Sequence, residues 1–169
     1  MTVRADPIAL YLDADACPVK EEAYKVAFRH QVRVFVVANM PLAVPRHPLI
    51  ERLVVPAGPD AADDLIAARA CRGDVVVTAD VPLAARCVAA GADVIAPTGK
   101  PFTGDSIGMA LATRNLMDDL RSAGAVTGGP RPFSARDRSA FLSALDLALV
   151  RLKRAGFSAG AAPGGRADA

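Results

Sequence analysis

The apolar residues of this chain fall in short unbroken runs, and polar residues rarely alternate with them. "IALYL" (residues 8–12), "VRVFVVA" (32–38) and "DVVVTAD" (74–80) each read as a strand covered on both faces, the pattern of a parallel sheet. "ERLVVPA" (51–57) is a shorter strand after a Pro-rich connection, and "DVIAP" (93–97) is predicted as the last one. Helical patterns lie between them. "PVKEEAYKVAFRH" has Pro18 at its start, acids in its first turn, an apolar set at Val19, Ala23, Val26 and Ala27, and basic residues at its end. In "GPDAADDLIAARACRGD" Asp60 is placed to cap a helix whose stripe is Leu65, Ile66 and Ala70 and which stops at Gly73. "VPLAARCVAAGA" is a short third helix.

Alternation of strands and helices at these lengths predicts the α/β class, a three-layer α/β/α sandwich on a mostly parallel sheet. Residues 98–108 are expected as a loop. After it, "SIGMALATRNLMDDLRSAG" and "SARDRSAFLSALDLALVRLKRAG" are two amphipathic helices separated by "AVTGGPRPF". Leu142, Leu145, Leu149 and Leu152 line one side of the second and suit either the sheet or another subunit. One domain over 1–156 is expected, followed by a disordered tail over 157–169 that has no core-forming content.

Composition narrows the setting. The chain has 169 residues and a formal net charge of +2, a balance that neither demands nor excludes a polyanionic partner. The three cysteines, Cys17, Cys71 and Cys87, have neither CxxC spacing nor a histidine cluster beside them, which argues against a zinc site or a disulfide framework and for a reducing cytoplasm. No stretch approaches the ~20 apolar residues of a membrane span, and no signal-peptide pattern is evident. A soluble cytoplasmic protein is the expectation.

The candidate chemistry lies in carboxylates. In open α/β sheets ligands sit at the carboxyl ends of the strands, and there the sequence puts Asp13 and Asp15 after the first strand and Asp80 after the fourth. Asp60 and Asp63 share a helix face, with Asp64 beside them. Carboxylates crowded together need a shared cation or proton, and an oxygen-rich set without thiolates suits Mg²⁺ or Mn²⁺, the ions of metal-dependent phosphodiesterases. Each acid also has a structural reading: Asp60, Asp15 and Asp80 as helix caps, Asp64 as a solvated residue favoured by the helix dipole. Lys20, Lys100, Arg114 and Asn115 are candidates to neutralise or contact phosphate, with solvated polarity as the alternative. Cys17 reads as a packed thiol, since no histidine lies near it in sequence.

At "DADACPVKEEA", "GPDAADDLIA", "GDVVVTADVPLA", "GKPFTGDSIG" and "LATRNLMDDLR" the chain resembles the YaiI/YqxD family of uncharacterised bacterial proteins, across residues 8–154. That family is grouped with PIN-like domains, a fold of metal-dependent ribonucleases. By position, the resemblance implies metal-holding catalytic roles for Asp13, Asp63 and Asp80, with Asp15 and Asp60 completing the shell and RNA as the substrate. "DVPLA" lacks the further acid that many PIN domains carry after this point, and Asp105 in the next loop is the available substitute. Two other readings stay open: a non-catalytic RNA-binding or regulatory module of the same fold, and a phosphatase-like hydrolase with Asp13 as nucleophile and Asp15 as acid/base.

Overall fold

A computed structural model describes residues 7–15, 17–56, 58, 60–125 and 132–159. Six strands form one sheet: β1 (Ala9–Asp13), β2 (Arg33–Ala38), β3 (Ile50–Val54), β4 (Val75–Val77), β5 (Asp93–Ile95) and β6 (Pro101–Phe102), in the order β3-β2-β1-β4-β5-β6. The first five are parallel, and β6 runs antiparallel to β5. The helices are α1 (Lys20–His30), α2 (Ala61–Arg69), α3 (Val81–Ala89), α4 (Ile107–Ser122) and α5 (Ala135–Arg154).

Side-chain alternation along the strands sorts the layers. Leu10 and Leu12 of β1, with Val34, Val36, Val75 and Val77, face α1 and α5, where they meet Val26, Phe141, Leu145 and Leu149. Ala9 and Tyr11, with Phe35, Val37 and Val76, face α2 and α3 and meet Ile66, Leu83 and Cys87. The three-layer arrangement follows. The leucine stripe of α5 therefore belongs to this chain's own core, not to another subunit: Leu145, Leu149 and Leu152 are buried and Leu142 packs partly against them.

Several expectations change in detail. Helix α1 begins at Lys20, two residues after Pro18, with Val19 at its N-cap and no side-chain cap. Strand β4 ends at Val77, so Asp80 is not strand-terminal but opens α3. The loop expected over 98–108 contains β6, and β5 is not the last strand. The reversal between them is a tight turn in which Gly99 adopts φ +86° and its N–H donates to Ala96 O at 2.8 Å. A two-residue strand is too short for any hydrophobic period to announce it. Helix α4 packs on α3 yet has no fully buried residue, and Met109 and Leu116 are exposed on it.

Packing continues beyond α5. Phe157 lies against the α1/α5 core, and Ser158 O accepts a hydrogen bond from Ile8 N at 2.9 Å. Residues 160–169 of the expected tail lie outside the described residues. Two carboxylates serve the framework: Asp74, 1% exposed, accepts from Ala9 N and Cys71 N and ties the start of β4 to β1. Asp137 forms a capping box with Ser134 at the head of α5.

Candidate functional site

Strand order creates the site. From β1 the chain builds outward through β2 to β3, then returns to the other side of β1 to lay down β4 and β5. Neighbouring loops at the carboxyl ends of β1 and β4 thus leave in opposite directions and open a crevice, the place where ligands bind in sheets of this kind. A cleft of about 410 Å³ occupies that crevice, lined by Asp13, Asp15, Cys17, Asn39, Ala62, Asp63, Ala79, Asp80 and Pro97.

Asp13 ends β1 on the face of Ala9 and Tyr11, so alternation turns it toward the α2/α3 layer. Its Oδ2 accepts from the Thr78 hydroxyl at 2.8 Å. Thr78, 1% exposed, in turn accepts from Asp80 N at 3.0 Å, so one hydroxyl fixes both acids. Asp80 caps α3: its Oδ1 accepts from Leu83 N at 3.0 Å. Asp63 enters from the first turn of α2, opposite α3.

The charges press on one another. Burial raises the Asp13 carboxyl above its ordinary value; the Thr78 hydrogen bond works against this, and Asp15 and Asp80 add to the rise. Asp63 is pushed up to about 6, first by burial and then by Asp80, Asp13 and Asp60, with Arg86 partly relieving it. Arg86 is itself anchored at 2.8 Å on Asp64, which is exposed and outside the cleft. Burial also raises the Cys17 thiol, so it sits in the cleft as a neutral group.

Of the acids singled out in the sequence, Asp13, Asp15, Asp63 and Asp80 meet in the cleft. Asp60 stands at the N-cap position of α2 without a side-chain cap bond, and it reaches the cleft only through its field on Asp63. Asp15 caps no helix and is exposed at the rim. Asp105 lies exposed in the turn before α4 and does not line the cleft. Lys20 Nζ donates to Ala14 O at 3.4 Å, between the two acids that follow β1. Lys100, Arg114 and Asn115 are not part of the lining, and Arg114 pairs along its own helix with Asp118 at 3.5 Å. Among the described residues, no three His, Cys, Asp or Glu side chains stand close enough together to form a ready-made metal cage.

Sequence reasoning missed Thr78 and Asn39. For Thr78 the available signal was a hydroxyl residue two before Asp80, spaced to reach its backbone N–H. For Asn39 it was a polar residue directly following a buried run that ends beside β1.

Comparison with known proteins agrees with the motifs. The profile described as "Uncharacterized BCR, YaiI/YqxD family" matches residues 11–151. A UPF0178 protein of Azorhizobium caulinodans is 72% identical over 158 residues, covering 94% of this chain and 99% of that relative. UPF0178 proteins of Bradyrhizobium diazoefficiens and Nitrobacter winogradskyi are 68% and 66% identical, each over 88% of this chain and over 89% and 94% of their own lengths. No solved structure matches the chain. With a family profile running from β1 to α5 and relatives this similar over nearly their whole length, the chain belongs to the YaiI/YqxD family.

Proposed function

We propose that the cleft is the active site of a Mg²⁺- or Mn²⁺-dependent phosphodiesterase acting on RNA. The observation that carries this reading is the meeting of Asp13, Asp15, Asp63 and Asp80, from separate segments of the chain, at the crevice between β1 and β4. Burial first, and then the neighbouring acids, raise the Asp13 and Asp63 carboxyls, and a divalent cation would offset both costs. The donor set is carboxylate and amide oxygen without imidazole, which suits these ions. Mg²⁺ keeps several waters and commonly binds through one or two carboxylates together with substrate phosphate, so spaced acids around an open cleft fit it without a closed cage.

When bound, the ion supplies a water of lowered pKa and compensates charge on the phosphate. The chain's own residues do the rest. Thr78 holds Asp13 in one orientation, and the α3 amide of Leu83 holds Asp80 by Oδ1, leaving Oδ2 for the cleft. Asp63, whose carboxyl burial and the neighbouring acids push up to about 6, would give up that proton and join Asp13 and Asp80 in holding the ion. Lys20 at the mouth offers its ammonium to non-bridging phosphate oxygens, while Lys100, Arg114 and Asn115 are left to more distant parts of a long substrate. Three cysteines with no disulfide between them suit the reducing cytoplasm where RNA turnover occurs.

Calorimetric titration of Mn²⁺ into the wild type and the Asp13→Asn/Asp80→Asn double variant, followed by incubation with single-stranded RNA, tests the reading. Saturable binding lost in the variant, with cleavage that requires the ion, is expected. RNA binding without ion binding or cleavage would favour the non-catalytic module, and a phosphoenzyme trapped at Asp13 would favour the phosphatase-like reaction.

A further inference from the structure

Asn39 is the one residue lining the cleft whose side chain carries an N–H donor. The other polar side chains there are the four carboxylates and the Cys17 thiol, a weak donor. Beneath them, the Thr78 hydroxyl proton is already given to Asp13. A phosphodiester linkage presents acceptors only, and proteins hold it through N–H and O–H donors, side-chain amides among them. The Asn39 Oδ1 adds one more oxygen to a lining already supplied with charged ones. Its Nδ2 is what no other side chain in that lining offers.

The fold brings Asn39 to the cleft from the flank opposite Asp80. Asp13 is in register with Val37 of β2, and Ala14 N donates to Val37 O at 2.9 Å. Val37 faces the α2/α3 layer and Ala38 the α1/α5 core, so alternation returns Asn39 to the α2/α3 side, toward which Asp13 also turns. Strands β2 and β4 lie on either side of β1, each about 4.8 Å from it. Asp80 therefore borders Asp13 on one flank and Asn39 on the other. The backbone around Asn39 is secured at both ends. Before it, Ala38 O accepts from Val55 N at 2.9 Å; after it, Leu42 packs on the core and its carbonyl accepts from Arg52 Nη1 at 2.8 Å. The half-buried carboxamide itself has no hydrogen-bond partner among the described residues, so a fixed donor stands open to a ligand.

We infer that Asn39 is a substrate-binding residue of the cleft, donating its Nδ2–H to a non-bridging oxygen of the phosphodiester while the acids hold the ion. The inference rests on the phosphodiesterase reading for its choice of ligand. A neutral donor suits this place. A lysine or arginine beside Asp13 would pair with the carboxylate and compete with the cation, whereas a carboxamide engages phosphate without neutralising an acid. Aspartate at this position would keep the size and shape of the side chain, remove the N–H and add a fifth carboxylate that repels the phosphate. The two effects act in the same direction on substrate and in opposite directions on substrate and ion.

The test is fluorescence anisotropy of a short fluorescein-labelled oligouridylate with the full-length protein in CaCl₂, an ion that also takes oxygen ligands, for wild type, Asn39→Ala and Asn39→Asp. Calorimetry of Mn²⁺ binding and cleavage in MnCl₂ are measured alongside. Circular dichroism confirms folding, and the isosteric Asn39→Asp carries the test if Asn39→Ala does not fold. The expected result is RNA affinity about tenfold or more weaker in Asn39→Ala and weaker still in Asn39→Asp, with the Mn²⁺ affinity of Asn39→Ala within twofold of wild type. Wild type that does not bind RNA, or variants within twofold of it, would overturn the inference. Tight RNA binding by Asn39→Asp alone would rule out the N–H as the contact. Loss of Mn²⁺ binding in a folded Asn39→Ala would make Asn39 an ion ligand and remove the substrate role. RNA affinity lost in both variants, combined with no ion-dependent cleavage by wild type, leaves the contact standing and removes the phosphodiesterase reading. Cleavage by wild type with RNA affinity indifferent to Asn39 does the opposite.

Discussion

A carboxyl that titrates at about 6 in place of 3.8 binds protons in direct competition with cations, and this gives Asp63 two measurable consequences. Between those values the folded chain holds more protons on Asp63 than the unfolded chain does. Its contribution to stability therefore declines as pH rises through that window and stays at its unfavourable limit above it. Asp63→Asn should raise stability at pH 7 by about 1 kcal/mol, a solvent-screened part of what the shift implies, and weaken Mn²⁺ binding at least tenfold. Thermal denaturation and calorimetry across pH 5–8 check both, with wild-type ion affinity falling below pH 6 as the expected profile. The acids of the site were legible in the sequence because strand-end and first-turn aspartates after buried runs are rare enough to notice. Thr78 was not, since a threonine at the end of a valine run is also an ordinary strand residue and its bond to Asp13 crosses 65 positions.

At the level of elements, hydrophobic runs and helix termini located the first five strands and all five helices, because each carries its own period or stop signal. What they left out was the turn that sends β5 back as β6. Gly99 is the reason that turn exists: its φ is +86°, and a Cβ there would lie 2.6 Å from the carbonyl carbon of Ala140 in α5. The glycine thus meets two demands at once, a left-handed backbone and direct contact between the hairpin and the last helix. Gly99→Ala should destabilise the protein by about 2–4 kcal/mol, since neither the strain nor the backbone clash can be relieved by a side-chain rotation. Urea unfolding with an unchanged slope and a lower midpoint is the expected readout. The half-buried face of α4 escaped the sequence because amphipathicity shows which side is apolar, not whether anything covers it.

For the molecule as a whole, the sequence announces the layered class, while the strand order, and with it the crevice, depends on which strands meet in space. Burial and neighbouring charge disfavour the ionised Asp13 and Asp63 at that crevice, so a cation that binds the folded state alone should act as a stabiliser. At a hundredfold excess over its dissociation constant the gain is about 2.7 kcal/mol, or about 5–10 °C in Tm for a chain of this size. Differential scanning fluorimetry with MgCl₂ and MnCl₂ should show that rise in the wild type and its loss in Asp13→Asn/Asp80→Asn. No helix among the described residues is long and apolar enough to cross a membrane.

The central position of β1 carries a further consequence, for the order in which the chain is made. Asp13 leaves the ribosome early, but the hydroxyl that orients it follows 65 residues later, a wait of about 3–13 s at ordinary rates of synthesis. Throughout that interval the β1 edge destined for β4 has no partner, so an incomplete product ending before β4 exposes an apolar strand open to wrong pairing and contains no cleft at all. The chemistry of this fold thus becomes available only after its middle strand has been closed from both sides.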